Sequence, residues 1–361
     1  MLESVYIHIP FCRSICSYCD FCKLLYNGPW VTKYLNALAL EINDSYQGEK
    51  IKTIYIGGGT PSVLKKKDLL YLFEILKLLK LDSELEFTFE CNIEDINDEI
   101  LGILKDNRVN RLSIGVQSFN KEKLQFMERN HDYKDVCDKF MACRNNGFDN
   151  INVDLIYGIP GESLNDLKKD LDLILKLKPD HISTYSLIVE DNTKVGISSV
   201  NPIDEDFDYE MYSYICKKLR FRGFNHYEVS NFAMKSKESK HNLKYWNNEE
   251  YYGFGLGASG YISGVRYENT RNLTKYLNGN WMQTQAILSK TEMMENELML
   301  GFRKIEGISM EKFYKKYSVH MQDVFPISKL AKEKDLILKK GMLKINPGRI
   351  YIMNEILINL F

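Results

Sequence analysis

The feature that most restricts this chain is an alternation that runs from its start to about residue 187. Six short apolar runs, at 5–9, 53–56, 85–89, 111–115, 151–156 and 181–187, are separated by helical stretches at 31–46, 68–79, 98–106, 134–145 and 164–177. In the last stretch Leu164, Leu167, Leu171, Ile174, Leu175 and Leu177 mark one apolar face at helical spacing. A strand that returns through a helix re-enters the sheet in the same direction, so the pattern predicts βαβ units and a parallel sheet. The expected class is α/β, a partial (β/α) barrel of about six parallel strands, with a closed eight-stranded barrel the less favoured alternative.

The remainder reads differently. Residues 204–222 read as a helix, followed by a Tyr-, Asn- and Gly-rich stretch at 241–264. From about Thr291 come three short amphipathic helices, then segments 336–345 and 349–352 around an Asn346-Pro347-Gly348 turn. The expected division is 1–285 for the core with its extension and 286–361 for a small helical, winged-helix-like C-terminal domain. That last segment holds 13 Lys/Arg against 9 Asp/Glu. The excess is too small for a nucleic-acid surface, so docking or capping is its expected role.

Ligands of parallel α/β folds sit at the carboxyl ends of the strands. The polar oddities of this sequence collect at those ends. Cysteines follow the first run, Gly57-Gly58-Gly59-Thr60-Pro61 the second, Glu90 the third, Gln117 the fourth, and Asp154 with Tyr157-Gly158 the fifth. They are expected to meet in one cleft.

Four of the eight cysteines, Cys12, Cys16, Cys19 and Cys22, fall close together, while Cys91, Cys137, Cys143 and Cys216 are scattered among apolar neighbours and read as buried structural thiols. Lys plus Arg is 48 against 49 Asp plus Glu, which excludes a strongly basic nucleic-acid binder and an acidic tail. No run approaches the ~18 apolar residues of a membrane helix, and the first residues lack the basic and apolar regions of a secretory signal. A cytoplasmic location is expected, where disulfides are rare and clustered cysteines more often ligate metal. The spacing C-x3-C-x2-C has no second pair for a zinc ribbon, and Lys23 after Cys22 excludes c-type haem attachment. Three thiolates on a four-iron cluster leave one iron open to a substrate or cofactor.

With an aromatic-rich turn after it, this motif resembles the signature of the radical S-adenosylmethionine (SAM) superfamily. Tyr6-Ile7-His8-Ile9-Pro10-Phe11-Cys12, Gly57-Gly58-Gly59-Thr60-Pro61-Ser62, Ser113-Ile114-Gly115-Val116-Gln117-Ser118-Phe119 and Asp154-Leu155-Ile156-Tyr157-Gly158-Ile159-Pro160-Gly161 are similar to the oxygen-independent coproporphyrinogen III oxidase group. The resemblance implies a 4Fe–4S cluster on Cys12, Cys16 and Cys19, with exchangeable SAM on the open iron. It also implies SAM contacts by Tyr6, Tyr18, Gly58, Gly59, Thr60, Glu90, Gln117, Arg129 and Asp154. For any one of these the plain alternative is a hydrogen-bonded residue at a strand end.

Within that group the sequence resembles the HemW subfamily, regarded as haem chaperones, more than the decarboxylase. The decarboxylase carries a long N-terminal arm before its cluster, for which Cys12 is expected to leave no room. The turn Cys19-Asp20-Phe21 is HemW-like, with Cys22 an extra thiol. His241-Asn242-Leu243-Lys244-Tyr245-Trp246 matches the subfamily's HNxxYW motif. The implied ligands are a cluster, SAM and haem, and the implied partners a haem-acceptor protein, itself soluble or peripheral to a membrane, and an electron donor. His241 is the candidate haem ligand, with Cys22 and His226 in reserve; the alternative for His241 is a structural histidine bonded within its loop. The alternative function is oxidative decarboxylation, or another SAM-radical reaction, on a tetrapyrrole.

Overall fold

The computed structural model describes residues 2–361. The strands of its large sheet are β1 Ser4–Ile9, β2 Lys50–Gly58, β3 Lys80–Asn92, β4 Arg111–Gln117, β5 Ile151–Tyr157, β6 His181–Ser186, β7 Asn225–Glu228, β8 Asn231–Ala233 and β9 Tyr252–Phe254. Their spatial order is β9-β1-β2-β3-β4-β5-β6-β8-β7. The six expected strands lie side by side in chain order and all parallel. β9 adds a parallel edge beside β1, and β8 and β7 continue the other side antiparallel. The two outer strands do not pair, so the barrel is partial.

The crossover helices are α1 Gly28–Ser45, α2 Lys66–Leu76, α3 Asp98–Asp106, α4 Tyr133–Asn145 and α5 Leu164–Leu177. Local sequence sets their ends. Asn27 caps α1 by accepting from the Trp30 N–H, with Pro29 in the first turn, where a missing N–H costs nothing. Asp132 with Asp135, and Ser163 with Asp166, form reciprocal capping boxes on α4 and α5.

Side chains alternate across each strand. Val5, Ile7 and Ile9, then Ile54 and Ile56, Phe87 and Phe89, Leu112 and Ile114, Val153 and Leu155, and Ile182 are all buried in one core with α1–α5. The intervening residues, among them Tyr6, Tyr55, Glu90, Arg111, Ser113, Asn152, Asp154 and Ser183, belong to the opposite face and give the barrel a polar lumen.

Three sequence expectations need correction. The C-terminal hairpin pairs Leu336–Lys339 with Met342–Ile345 and turns at Lys340-Gly341, both left-handed (φ 54° and 75°). A two-residue hairpin turn requires that conformation, which glycine adopts freely. Asn346-Pro347-Gly348 instead starts a 3-10 helix, Pro347–Ile352. Four helices rather than three precede the hairpin: Lys290–Gly301, Met310–Tyr317, Met321–Val324 and Ile327–Lys332. The Tyr- and Gly-rich stretch hides part of a second, antiparallel sheet of Ser259–Ile262, Val265–Asn269 and Met282–Ile287. All eight cysteines are unpaired; Cys91, Cys143 and Cys216 are buried as expected, whereas Cys137 is half-buried. Among the described residues no helix is long and apolar enough to cross a membrane.

Candidate functional site

β1 leads straight into the cysteine loop. Phe11–Cys12 pairs with Leu24–Leu25 as a short two-stranded ladder that closes the loop at its base. Farther round, Ser17 Oγ donates to the Phe126 carbonyl at 2.7 Å, the Val195 N–H donates to the Ser17 carbonyl, and Arg13 pairs with Asp95. The loop is thereby tied across the carboxyl end of the sheet, over the lumen.

The glycines at the end of β2 make room for that arrangement. A Cβ on Gly57 would lie 2.7 Å from the Glu90 carboxyl, and one on Gly59 would lie 2.7 Å from the Pro10 backbone and 2.9 Å from Cys12 Sγ. Gly58 adopts φ +113°, which only glycine holds without strain. Glu90 accepts from the Tyr55 hydroxyl at 2.7 Å and from the Gly58 N–H at 3.1 Å. Burial pushes its carboxyl up to about 7, against the pull of those donors. Burial likewise raises Asp154, which accepts from Asn152 Nδ2 at 2.7 Å. Arg129 donates to Asn92 Oδ1 at 2.6 Å and to the Gly115 carbonyl at 3.3 Å. Gln117 ends β4 in the left-handed region (φ 67°), where the β4–β5 register slips, and its side-chain oxygen is buried without a partner. A strained residue with an unmet acceptor is characteristic of a site.

These groups enclose one cavity of about 410 Å³. Cys12, Cys16, Tyr18, Cys19, Gly58, Gly59, Thr60, Glu90, Gln117, Arg129 and Asp154 all border it. The expectation of one cleft at the strand ends is met for eleven of the predicted residues. Two fall outside the wall. Tyr6 lies on the lumen face of β1 with its hydroxyl on His8 Nδ1 at 2.9 Å. His241 sits in helix Lys240–Trp246, fully buried, with Nδ1 on Thr53 Oγ1 at 2.9 Å and Nε2 on the Tyr245 hydroxyl at 2.8 Å. Desolvation pushes its pKa down to about 3. Both ring nitrogens, the N–H and the single lone pair of the neutral ring alike, are engaged in hydrogen bonds here, which favours the alternative of a structural histidine over a haem ligand. The reserve His226 is also a core residue, stacked on Phe232 and accepting from Arg220 Nη2 at 2.9 Å. Cys22 is half-buried and borders no part of this cavity.

Sequence reasoning missed Tyr55, Arg111, Tyr185 and Asn242, which also border the cavity. The available signal was period two: Arg111 is in phase with Ser113 and Gln117 along β4, and an arginine opening a buried strand is anomalous.

Residues 6–174 match the family model described as the Radical SAM superfamily, and residues 288–352 that of the HemN C-terminal domain. The heme chaperone HemW of Lactococcus lactis subsp. lactis (strain IL1403) is 43% identical, over 90% of this chain and 87% of its own. That of Bacillus subtilis (strain 168) is 39% identical over 98% and 96%. The chain belongs to the HemW family. A solved structure, coproporphyrinogen III oxidase (HemN) from Escherichia coli, matches this HemW-family fold with a TM-score of 0.87, covering 99% of this chain and 89% of that one at 21% identity. Its likeness establishes the fold alone.

The family implies an iron–sulfur cluster, and the donor set can be tested against it. Burial, with the neighbouring Cys19 and Cys16 adding to it, raises the Cys12 thiol to about 11, so ionised together the three require a cationic centre. Among the described residues no three His, Cys, Asp or Glu side chains converge as a single ion requires. A cluster takes one thiolate per iron, so its ligands stand apart around one space. Three cysteines spread around one cavity wall fit a cluster better than a mononuclear ion.

Proposed function

We propose that this HemW-family chain is a haem chaperone that holds a 4Fe–4S cluster and SAM in the strand-end cavity, binds haem, and passes it to an acceptor protein. The observation that carries the reading is similarity over nearly the whole chain to relatives named heme chaperone HemW. Cys12, Cys16 and Cys19 would ligate the cluster, whose fourth iron would be the open position for SAM.

The chain's own groups have definable tasks in that arrangement. Gly58 and Glu90 are locked together by the Gly58 N–H, so the glycine turn and the carboxylate present one fixed surface. Asp154 and Glu90 place carboxyl groups within the lumen, acceptors suited to ribose hydroxyls, and a cationic sulfonium would favour their ionised forms against the effect of burial. Gln117 offers an unmet acceptor, and Arg129, fixed by Asn92, offers remaining donors. Tyr18 borders the same cavity, as do the loop cysteines and Arg129. Haem would meet an apolar rim, since Phe21 and Ile188 both border the cavity and remain largely exposed. An electron donor and the acceptor, peripheral to a membrane or soluble, are further proposed partners.

Anaerobic reconstitution followed by parallel assays tests the reading. Haem retained without turnover, and transferred to an acceptor, is the expected result. Decarboxylation of coproporphyrinogen III coupled to 5′-deoxyadenosine and methionine would falsify it and establish the oxidase alternative.

A further inference from the structure

Arg111 opens β4 and is the largest fully buried side chain of the protein. A guanidinium carries five N–H donors and keeps its proton in any protein environment. Among the described residues these donors find one protein acceptor, Thr88 Oγ1 at 3.5 Å, the limit of a hydrogen bond, and Nε finds none. Glu90 and Asp154 feel the Arg111 charge. Neither comes within 4.0 Å of it. Their oxygens are held elsewhere, Glu90 by Tyr55 and Gly58 and Asp154 by Asn152. Buried cations without an ion pair are avoided unless something else comes to them.

Arg111 borders the cavity, and so does Asn242. Asn242 directly follows His241, whose ring is close enough to feel the Arg111 charge. The helix holding Asn242 is fixed beneath the lumen, since buried Glu86 accepts from the Lys240 and His241 N–H groups at 3.0 and 2.9 Å. Among the described residues the Asn242 carboxamide makes no hydrogen bond to the protein, although its backbone N–H is capped by Ser239. A guanidinium with one marginal protein acceptor and an amide N–H2 with none among the described residues thus border one space. Two parallel donors beside a third suit a carboxylate, which accepts at both oxygens. A phosphate would bring up to two negative charges against Glu90 and Asp154; a carboxylate brings one.

We propose that Arg111 and Asn242 form a seat for a ligand carboxylate on the floor of the cavity, separate from the strand-end groups at its mouth. The carboxylate is carried either by a propionate arm of haem, which rests on the function proposed above, or by a free small carboxylate, which does not.

Full-length reconstituted protein is titrated with haem and with haem dimethyl ester, and saturation-transfer NMR reads propionate binding. Haem is expected to bind roughly tenfold or more tightly than its ester, as loss of a charge-assisted pair implies. The preference disappears in Arg111→Met, survives in part in Arg111→Lys and weakens in Asn242→Ala. The wild-type comparison and Asn242→Ala stand even if Arg111→Met fails to fold. Equal binding of acid and ester with an Arg111-dependent propionate signal assigns the seat to a free carboxylate. Equal binding without a propionate signal overturns the seat and leaves the chaperone reading intact. No haem bound in either form, with an Arg111-dependent propionate signal, keeps the seat and removes the haem reading. Neither haem nor propionate bound overturns the seat. An acid preference unchanged in Arg111→Lys and Asn242→Ala also overturns it.

Discussion

The mouth and the floor of the lumen are built on the same strands, yet their polar groups are committed differently. At the mouth Glu90, Arg129 and Asp154 each have protein partners and still have capacity to spare, because a carboxylate offers about four acceptor sites and a guanidinium five donors. At the floor His241 has two ring nitrogens and both are used. Its neighbour Asn242, whose carboxamide has no protein partner among the described residues, is the member of the His-Asn-x-x-Tyr-Trp motif that borders the cavity. Spare hydrogen-bonding capacity, rather than membership of a motif, separates groups that can meet a ligand from groups that hold the fold.

The largest effect is expected at the mouth. If Cys12, Cys16 and Cys19 hold the proposed cluster, replacing any one of them by Ser removes an iron ligand outright, and reconstituted protein should lose most bound iron and its broad visible absorption. Cys22→Ser should keep both, since Cys22 does not border the cavity. Loss of the cluster in Cys22→Ser alone would put a fourth ligand on the loop and break the three-thiolate arrangement.

The floor should respond through stability instead. His241→Ala strands the Thr53 hydroxyl and the Tyr245 hydroxyl and opens a hole in a fully buried position. The expected cost is about 2–4 kcal/mol in urea unfolding, from two buried partners left unmet and a cavity. The iron content of the folded fraction should be unchanged. A variant of normal stability with an altered haem Soret band would reverse the assignment and return His241 to the iron.

How much of this was legible follows from what kind of signal each part carries. The six parallel strands were readable because apolar runs and amphipathic helices alternate, and the mouth was readable because each strand ends in a residue out of keeping with a buried run. The floor was not. Arg111 opens an apolar run, and although period two puts it on the face of Ser113 and Gln117, only its pairing beside Thr88 and its burial show that it stays inside the lumen rather than reaching out at the strand end. The single-residue choice between His241 and Asn242 depends on which one helix Lys240–Trp246 turns toward Thr53. The Lys340-Gly341 turn was missed because Asn-Pro-Gly is also a strong turn signal, and the strands closed one signal earlier.

A smaller effect distinguishes the mouth carboxylates. Glu90→Ala or Asp154→Ala should weaken SAM binding about ten- to a hundredfold, the loss of a buried charge-assisted bond of roughly 1.5–3 kcal/mol, with iron content intact. SAM titration of the reduced cluster's EPR signal reads this directly. Unchanged titrations in both variants would remove the two carboxylates from the SAM site and leave Arg129 and Gln117 as its polar groups.

The smallest effect is a difference in pH slope between the two ends. Burial holds Glu90 up at about 7, so on folding it takes up a proton between its ordinary value near 4.5 and 7. The folded state binds more protons there, and its contribution to stability is present below that window and lost as pH rises through it. His241, held down at about 3 by burial, behaves oppositely: the unfolded chain binds the extra proton below about 6.5, so its contribution is present above that value and lost as pH falls. Each group sets a slope of at most ~1.4 kcal/mol per pH unit. Urea unfolding of the cluster-free protein from pH 4.5 to 7 should therefore show Glu90→Gln gaining on the wild type as pH rises. His241→Asn should gain on it as pH falls. Parallel curves for Glu90→Gln and wild type would mean that Glu90 is ionised throughout in the folded state, satisfied by Tyr55 and Gly58 with help from the Arg111 charge. In that case the floor guanidinium acts chiefly as a counter-charge to the mouth.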